Sequence, residues 1–564
     1  MEIFYSISNS RRVKKYLDEA TKESVLEDLT KVLASYWVGA KDVWTVFFLH
    51  SFQEEYDRYW DVDSLRQFLA SRHPGIDSHE TTYLLWRCLH FYAHYPFARS
   101  SRGSRFDLKG FQRAVALLVF RGTDSLGTQQ PGDHYWRHDE ALFREADFRR
   151  MLRSISEPAQ FYSAEKQWAV DDVMDVLATT QPHSTTLAPS PDQLREAAER
   201  ILSSGSMKHR LCRDEFSLFV RLLLQLRVWG VEGSCLPSGI FNGESSSACQ
   251  DLADSIADAI CCEDQTIDAG IVADVLPGLR ERFYRLWGVI FQPRSLRETT
   301  VPPEQCLPNS ILAAVSLLLP LAMDASGPSD LGLELLPRTE DLGMDLLFEQ
   351  IRAHDYPHIL LFTGATCTAV VGAYIPNTSS PHEAESQRKN SLLDTRGHFL
   401  FQLYPRFYLL RSAKLRPSLE EAFHAERNVS SLSTVTTDQR QPLPYTIGHE
   451  EGGALLRVDP QGLTVTMVAN LTESSEEKPI YTNMGRDQNR EWELTVHPAQ
   501  LHILRTNPSA STPTWGRNGS KEGVSGEELR NRIQGFGSCN SETPSHNVLE
   551  RWSIRRQFYG GTCP

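Results

Sequence analysis

Ten cysteines and eighteen histidines hold most of the metal-binding and nucleophilic potential of this 564-residue chain, and their spacing limits what they can do. Cys88, Cys212, Cys235, Cys249, Cys261, Cys262, Cys306, Cys367, Cys539 and Cys563 are scattered, and no two form a Cys-x-x-Cys. Three His-x-x-x-His pairs occur: His90 with His94, His134 with His138, and His354 with His358. None follows a cysteine pair, and no His-Glu-x-x-His is present, so neither zinc-finger nor zinc-hydrolase spacing is completed. His90 and His94 share a helix face near Cys88 and are the best metal candidate, but an ordinary aromatic-rich helix face is the preferred reading. Asp57, Asp61 and Asp63 resemble a calcium loop in composition and lack its turn glycine, so no calcium site is expected. Neither a metal nor another cofactor is expected.

Covalent chemistry is equally poorly supplied. There is no Gly-x-Ser-x-Gly elbow, and His358, His398 and His449 have no Ser or Cys partner fixed by local spacing. Cys367 is the best thiol for peroxide chemistry, yet its neighbours Thr366 and Thr368 offer no positive charge to lower its pKa. Glu491 and Glu493 lie two apart on a predicted strand, where paired carboxylates usually form a solvated edge. Two features suit partner binding better. Gly448-His449-Glu450-Glu451-Gly452-Gly453 reads as an exposed polar loop on a rigid scaffold, where contacts concentrate; it has no following helix or Lys-Ser/Thr pair for phosphate. The amphipathic segment Arg213 to Trp229 carries Arg213, Arg221 and Arg227 as candidate contacts.

The elements that must position these residues change character along the chain. Hydrophobic residues make up 40% and charged residues 23%, ordinary for a globular protein, and the net charge of -14 disfavours a general nucleic-acid role. Met1-Glu2-Ile3 begins neither a secretory signal nor a myristoylation signal. The longest apolar run, Ile311 to Met323, contains Pro320 and reads as a buried helix. A cytoplasmic protein with reduced thiols is therefore expected, and the sequons at Asn377, Asn428, Asn470 and Asn518 read as ordinary loop sequence. Residues 1–178 are helical in period, with Phe106 to Phe120 resembling the entry to an EF-hand-type helix pair. Residues 179–190 are a Pro/Ser/Thr-rich linker, and 191–299 form a second helical region. From Pro357 the period shortens to that of antiparallel strands, at Ile359–Thr363, Thr368–Ile375, His398–Tyr404, Phe407–Arg411, Ala454–Val458, Leu463–Val468, Glu491–Val496 and Val548–Ile554. Polar insertions at about 376–395 and 415–442 separate them. The expected class is α+β: a helical amino-terminal half followed by an antiparallel β-sandwich flanked by helices.

The strand run resembles the TLDc domain of oxidation-resistance proteins over residues 300–564. Leu335-Leu336 and Gly343-Met344-Asp345 match its opening, with Pro337 in place of the usual aromatic. Pro357 to Phe362, Val371-Gly372-Ala373-Tyr374 and Phe399-Leu400-Phe401-Gln402-Leu403-Tyr404-Pro405 match the next three strands. Ile447-Gly448 and Gly452-Gly453-Ala454-Leu455-Leu456 with Asp459 match the glycine-rich pair, and Leu549 to Ser553 resembles the closing strand. The strand before it fits either 491–504 or 533–537, the second slightly better because it lies nearer. The helical half suits the subgroup of fungal restriction-of-telomere-capping and TOR-associated lysosomal TLDc proteins.

The resemblance implies a non-enzymatic stress-response adaptor, which binds the vacuolar proton pump (V-ATPase) or a related complex. Such an adaptor affects pump assembly, nutrient signalling or oxidation resistance, with only peripheral membrane attachment at the vacuole. The subgroup's myristoylated glycine is Glu2 here, so that anchor does not carry over. The alternatives are a thiol- or peroxide-active enzyme and a GTPase-regulating protein, the latter lacking an arginine-finger and glutamine-finger pair.

Overall fold

The computed structural model describes residues 2–37, 41–97, 104–127, 140–159, 165–181, 189–202, 208–226, 241, 247–262, 265–291, 307–319, 333–335, 347–348, 351, 357–376, 397–412, 422–425, 444–449, 453–469, 481–483 and 491–506. The chain divides into two compact units, Met1–Trp515 and Gly516–Pro564, and the second lies outside the described residues. The expected closing strand at 548–554 and the four sequons also lie outside them.

The helical part opens with α1 (Glu2–Glu19), α2 (Lys22–Leu33), α3 (Lys41–His50), α4 (Val62–Arg72), α5 (His79–His94) and α6 (Leu108–Leu118). Side-chain oxygens start several helices by taking up free backbone N–H groups: Thr21 for α2, Asp61 for α4, Ser78 for α5 and Asp107 for α6. A short hairpin, β1 (Phe52–Glu54) with β2 (Asp57–Tyr59), separates α3 from α4. Trp60 and Phe106 then exchange backbone hydrogen bonds of 3.0 and 3.1 Å, so two helix–loop–helix units are joined through their loops. Asp61 is committed to the cap of α4, where it accepts from Asp63 N and Ser64 N.

Next come α7 (Glu140–Ile155), β3 (Glu157–Ala159), α8 (Glu165–Thr180), α9 (Pro191–Ile201), β4 (Lys208–Arg210) and α10 (Arg213–Gln225). The helices end with α11 (Ser247–Ile260), α12 (Ala269–Val275), α13 (Leu279–Phe291) and α14 (Asn309–Leu318), the last buried as its apolar run predicts. A buried ionic network ties α7, α8 and α13 together. Asp147 accepts from Arg150 at 3.1 Å, from the Tyr284 hydroxyl at 2.8 Å, and from Arg280. Arg150 also donates to Asp175 at 3.0 Å and Asp172 at 3.4 Å. Each charge has a hydrogen-bonded partner, the condition under which such a cluster tolerates burial.

The strands are β5 (Leu333–Leu335), β6 (His358–Thr363), β7 (Val370–Ile375), β8 (Phe399–Tyr404), β9 (Tyr408–Ser412), β10 (Phe423–Ala425) and β11 (Tyr445–His449). They continue with β12 (Ala454–Asp459), β13 (Thr464–Ala469), β14 (Tyr481–Asn483), β15 (Trp492–Val496) and β16 (Gln500–Thr506). Two antiparallel sheets result, in the orders β14-β9-β8-β7-β6-β16-β5 and β10-β11-β12-β13-β15. Of the two stretches considered for the strand before the closing one, 491–504 contains β15 and most of β16, whereas 533–537 lies outside the described residues.

The larger sheet is covered on both faces, which explains why β6, β7 and β8 are near-continuous apolar runs. Ile359, Leu361, Tyr374, Phe399 and Phe401 join the core formed with the helices. Their alternates Leu360, Phe362, Ala373 and Leu400 pack with Tyr445, Ile447, Leu456, Val458 and Met467 of the smaller sheet. Tyr404 donates to Ala248 O and Phe407 N to Ser255 Oγ, both at 2.7 Å on α11, and Arg411 donates to Asp274 O on α12. The architecture is α+β. Among the described residues no helix is long and apolar enough to cross a membrane.

Candidate interaction surface

Within the glycine-rich stretch, the described glycines at its two ends, Gly448 and Gly453, are buried rather than exposed as polarity suggests. Gly448 belongs to β11, is buried, and pairs with Leu455 of β12. Its φ is +103°, and a Cβ there would lie 2.8 Å from Ala454 O and 3.1 Å from Leu400 Cδ1 of the opposite sheet. Gly448 is therefore glycine because backbone and sheet packing both demand it. Gly453, at φ +88°, is buried where the chain turns into β12. His449 is half-buried opposite Ala454, while Glu450, Glu451 and Gly452 lie outside the described residues.

The basic residues of α10 are also engaged within the chain. Arg213 donates to Asp258 at 2.8 Å, Asp214 at 3.0 Å and Asp254 at 3.1 Å, and these hydrogen bonds raise its pKa. Arg221 donates to Gln250 at 2.8 Å. Both side chains face α11, so this helix face is a packing seam rather than an open basic surface; Arg227 lies outside the described residues.

The side of β11, β12, β13 and β15 turned away from the larger sheet carries polar residues. Register places Thr446, Arg457, Thr466 and Thr495 in one row across the four strands, with Thr466 and Thr495 hydroxyls 3.1 Å apart. Arg457 and Thr495 are exposed, as are Glu491 and Glu493, so the two carboxylates lie on solvent as expected. A sheet face that carries a guanidinium, hydroxyls and a carboxylate at paired register positions holds them in fixed relative places, which lowers the ordering cost of hydrogen-bonding a partner. Edge-on alternation in β13 and β15 was legible; their adjacency in one row required the register.

Reactive chemistry finds little support in the described residues. Burial pushes the thiols of Cys88, Cys212 and Cys367 up and that of Cys249 to about 11, away from the thiolate form. His398 is buried, hydrogen-bonds the Tyr481 hydroxyl at 2.8 Å, and is pulled down to about 4 by burial. The His90 and His94 rings are tilted by 38° with centroids 4.3 Å apart, and Cys88 meets Ser154 instead. Among the described residues no group of three or more His, Cys, Asp or Glu side chains could hold a metal ion. The buried network around Arg150 was missed from sequence, although Arg149, Arg150 and Arg153 on α7 and Asp172 and Asp175 on α8 repeat at helical spacing. No protein-family model matches the chain, and no curated protein matches it.

Proposed function

We propose that the chain is a TLDc-type adaptor that binds the vacuolar proton pump or a related complex and modulates its assembly, nutrient signalling or oxidative-stress resistance. The observation that carries this reading is the order of the quoted segments on the sheets. Pro357 to Phe362 runs into β6, Val371 to Tyr374 lies on β7, Phe399 to Tyr404 is β8, and Ile447-Gly448 and Ala454 to Asp459 lie on β11 and β12. The paired helix–loop–helix units upstream agree with the EF-hand-like region of the same subgroup. Raised thiol pKa values and the solvated Glu491/Glu493 pair count against a peroxide or acid/base enzyme.

The partner meets the outer face of the smaller sheet, with Arg457 at its centre. Recovery of pump subunits from vacuolar membranes by the full chain, weakened at least about tenfold by Arg457→Glu, is the expected result, since an arginine near the centre of an interface is a frequent hot spot. A pull-down that recovers no pump subunits, together with normal vacuolar pH in cells lacking the protein, sinks the proposal.

A further inference from the structure

Helix α3 is apolar on more sides than a helix with one buried face requires. Phe47 is buried against Trp60 and Phe111, while Trp44, Phe48 and Leu49 are 36%, 47% and 58% exposed. Tyr56, at the tip of the β1–β2 hairpin, is 97% exposed. Six large apolar side chains are exposed among the described residues, and four of them fall within residues 44–56, three on α3 and one at the tip of the hairpin that follows it, a local excess of the kind that marks interaction sites. Arg58 holds helix and hairpin together: it donates to Phe48 O at 3.5 Å and Ser51 Oγ at 3.3 Å, and its guanidinium lies 5.8 Å over the Phe48 ring.

The charges around the patch select its occupant. Glu54 neutralises Arg105, and half-buried Arg58 is turned onto Phe48. Glu55 and Asp57 remain as exposed acids flanking Tyr56. An acidic rim on a chain of net charge -14 repels anionic headgroups and complements cations. We infer that the outer face of α3 and the hairpin tip form a docking surface for a basic amphipathic helix of a partner protein. Its apolar residues cover Trp44, Phe48 and Leu49, and its Lys or Arg side chains reach Glu55 and Asp57. This surface lies on the helical half and does not depend on the pump-binding reading.

The test uses the full chain and a labelled Leu/Lys peptide with leucines at i, i+3, i+4 and i+7, read by fluorescence anisotropy. A Leu/Glu peptide of the same spacing and phosphatidylserine-containing vesicles serve as competitors. Leu49→Asp is expected to raise Kd by about tenfold or more. Glu55→Lys with Asp57→Lys, or higher salt, is expected to raise it several-fold. Thermal unfolding of these variants should match the parent, since the altered side chains are exposed; Tyr56→Asp, at the hairpin tip, provides a second apolar variant should Leu49→Asp unfold. Absence of Leu/Lys binding, equal binding of Leu/Glu, or indifference to the variants overturns the inference. Tighter binding to vesicles than to peptide, lost in Leu49→Asp, overturns it in favour of a membrane.

Discussion

Gly448→Ala separates a structural glycine from a contact glycine. At φ +103° an alanine lies outside the regions open to L-residues, which costs about 1–2 kcal/mol. Its Cβ would also approach Ala454 O to 2.8 Å and Leu400 Cδ1 to 3.1 Å, and the first neighbour is backbone in a paired strand. Overpacking of that kind costs about 1–3 kcal/mol. Stiffening the unfolded chain returns about 0.4–1 kcal/mol. The net loss is about 1–4.6 kcal/mol, or about 5- to 2,000-fold in the folded-to-unfolded ratio at about 1.4 kcal/mol per tenfold. Hydrogen exchange of β11 and β12 amides reads this locally, without requiring the whole chain to unfold in one step. Gly462→Ala is the control: its Cβ would meet the carboxylate end of Asp459, which can move, and a loss below about 0.5 kcal/mol is expected for such a surface change. If Gly448→Ala keeps full protection of β11 and β12 yet abolishes partner binding, the residue is a contact and the packing account is wrong.

Asp147→Asn leaves Arg280 and Arg150 short of a buried counter-charge and should cost about 3–5 kcal/mol in urea unfolding. The Asp147 carboxyl is buried, but Arg280 and Arg150 hold it below its ordinary value. Its contribution is therefore present above the unfolded pKa of about 3.9 and lost as pH falls through the folded one, so the variant should show a shallower acid limb. For His398 the folded value of about 4 lies below the ordinary 6.5, so the unfolded state binds the extra proton between them. Stability should fall as pH drops from about 6.5 to 4, by up to about 3 kcal/mol, and His398→Phe should flatten that slope in a pH series of thermal melts. Cys367→Ser is expected to leave peroxide consumption by the purified protein unchanged, and turnover that disappears in the variant would restore the enzyme reading.

How much was legible depended on how local the cause was. The apolar runs of β6, β7 and β8 and the alternation of β13 were readable because pleat and burial act within six residues. Gly448 and His449, the last residues of β11, read as the start of a loop because glycine and histidine look like turn material until Leu455 of β12, about seven residues on, is placed opposite Gly448. β16 followed β15 too closely to be recognised as a separate strand, and only the sheet order shows it crossing to lie between β6 and β5. The arginines of α10 looked like a surface because an arginine's partner cannot be read from its own helix; theirs sit on α11.

By itself the sequence determined the class of chain: mainly helices before residue 320, strands after 357, no assembled metal or nucleophile spacing, and a helical or strand period on most elements. Those properties follow from periodicity and side-chain type, which are local. Only the tertiary structure decided which polar residues share a sheet face and which are engaged within the chain. Register placed Thr446, Arg457, Thr466 and Thr495 in one row across four strands, packing buried Gly448 between the sheets, and ion pairs to α11 engaged Arg213. Exposure is set by what arrives from elsewhere in the chain, and no local pattern contains it.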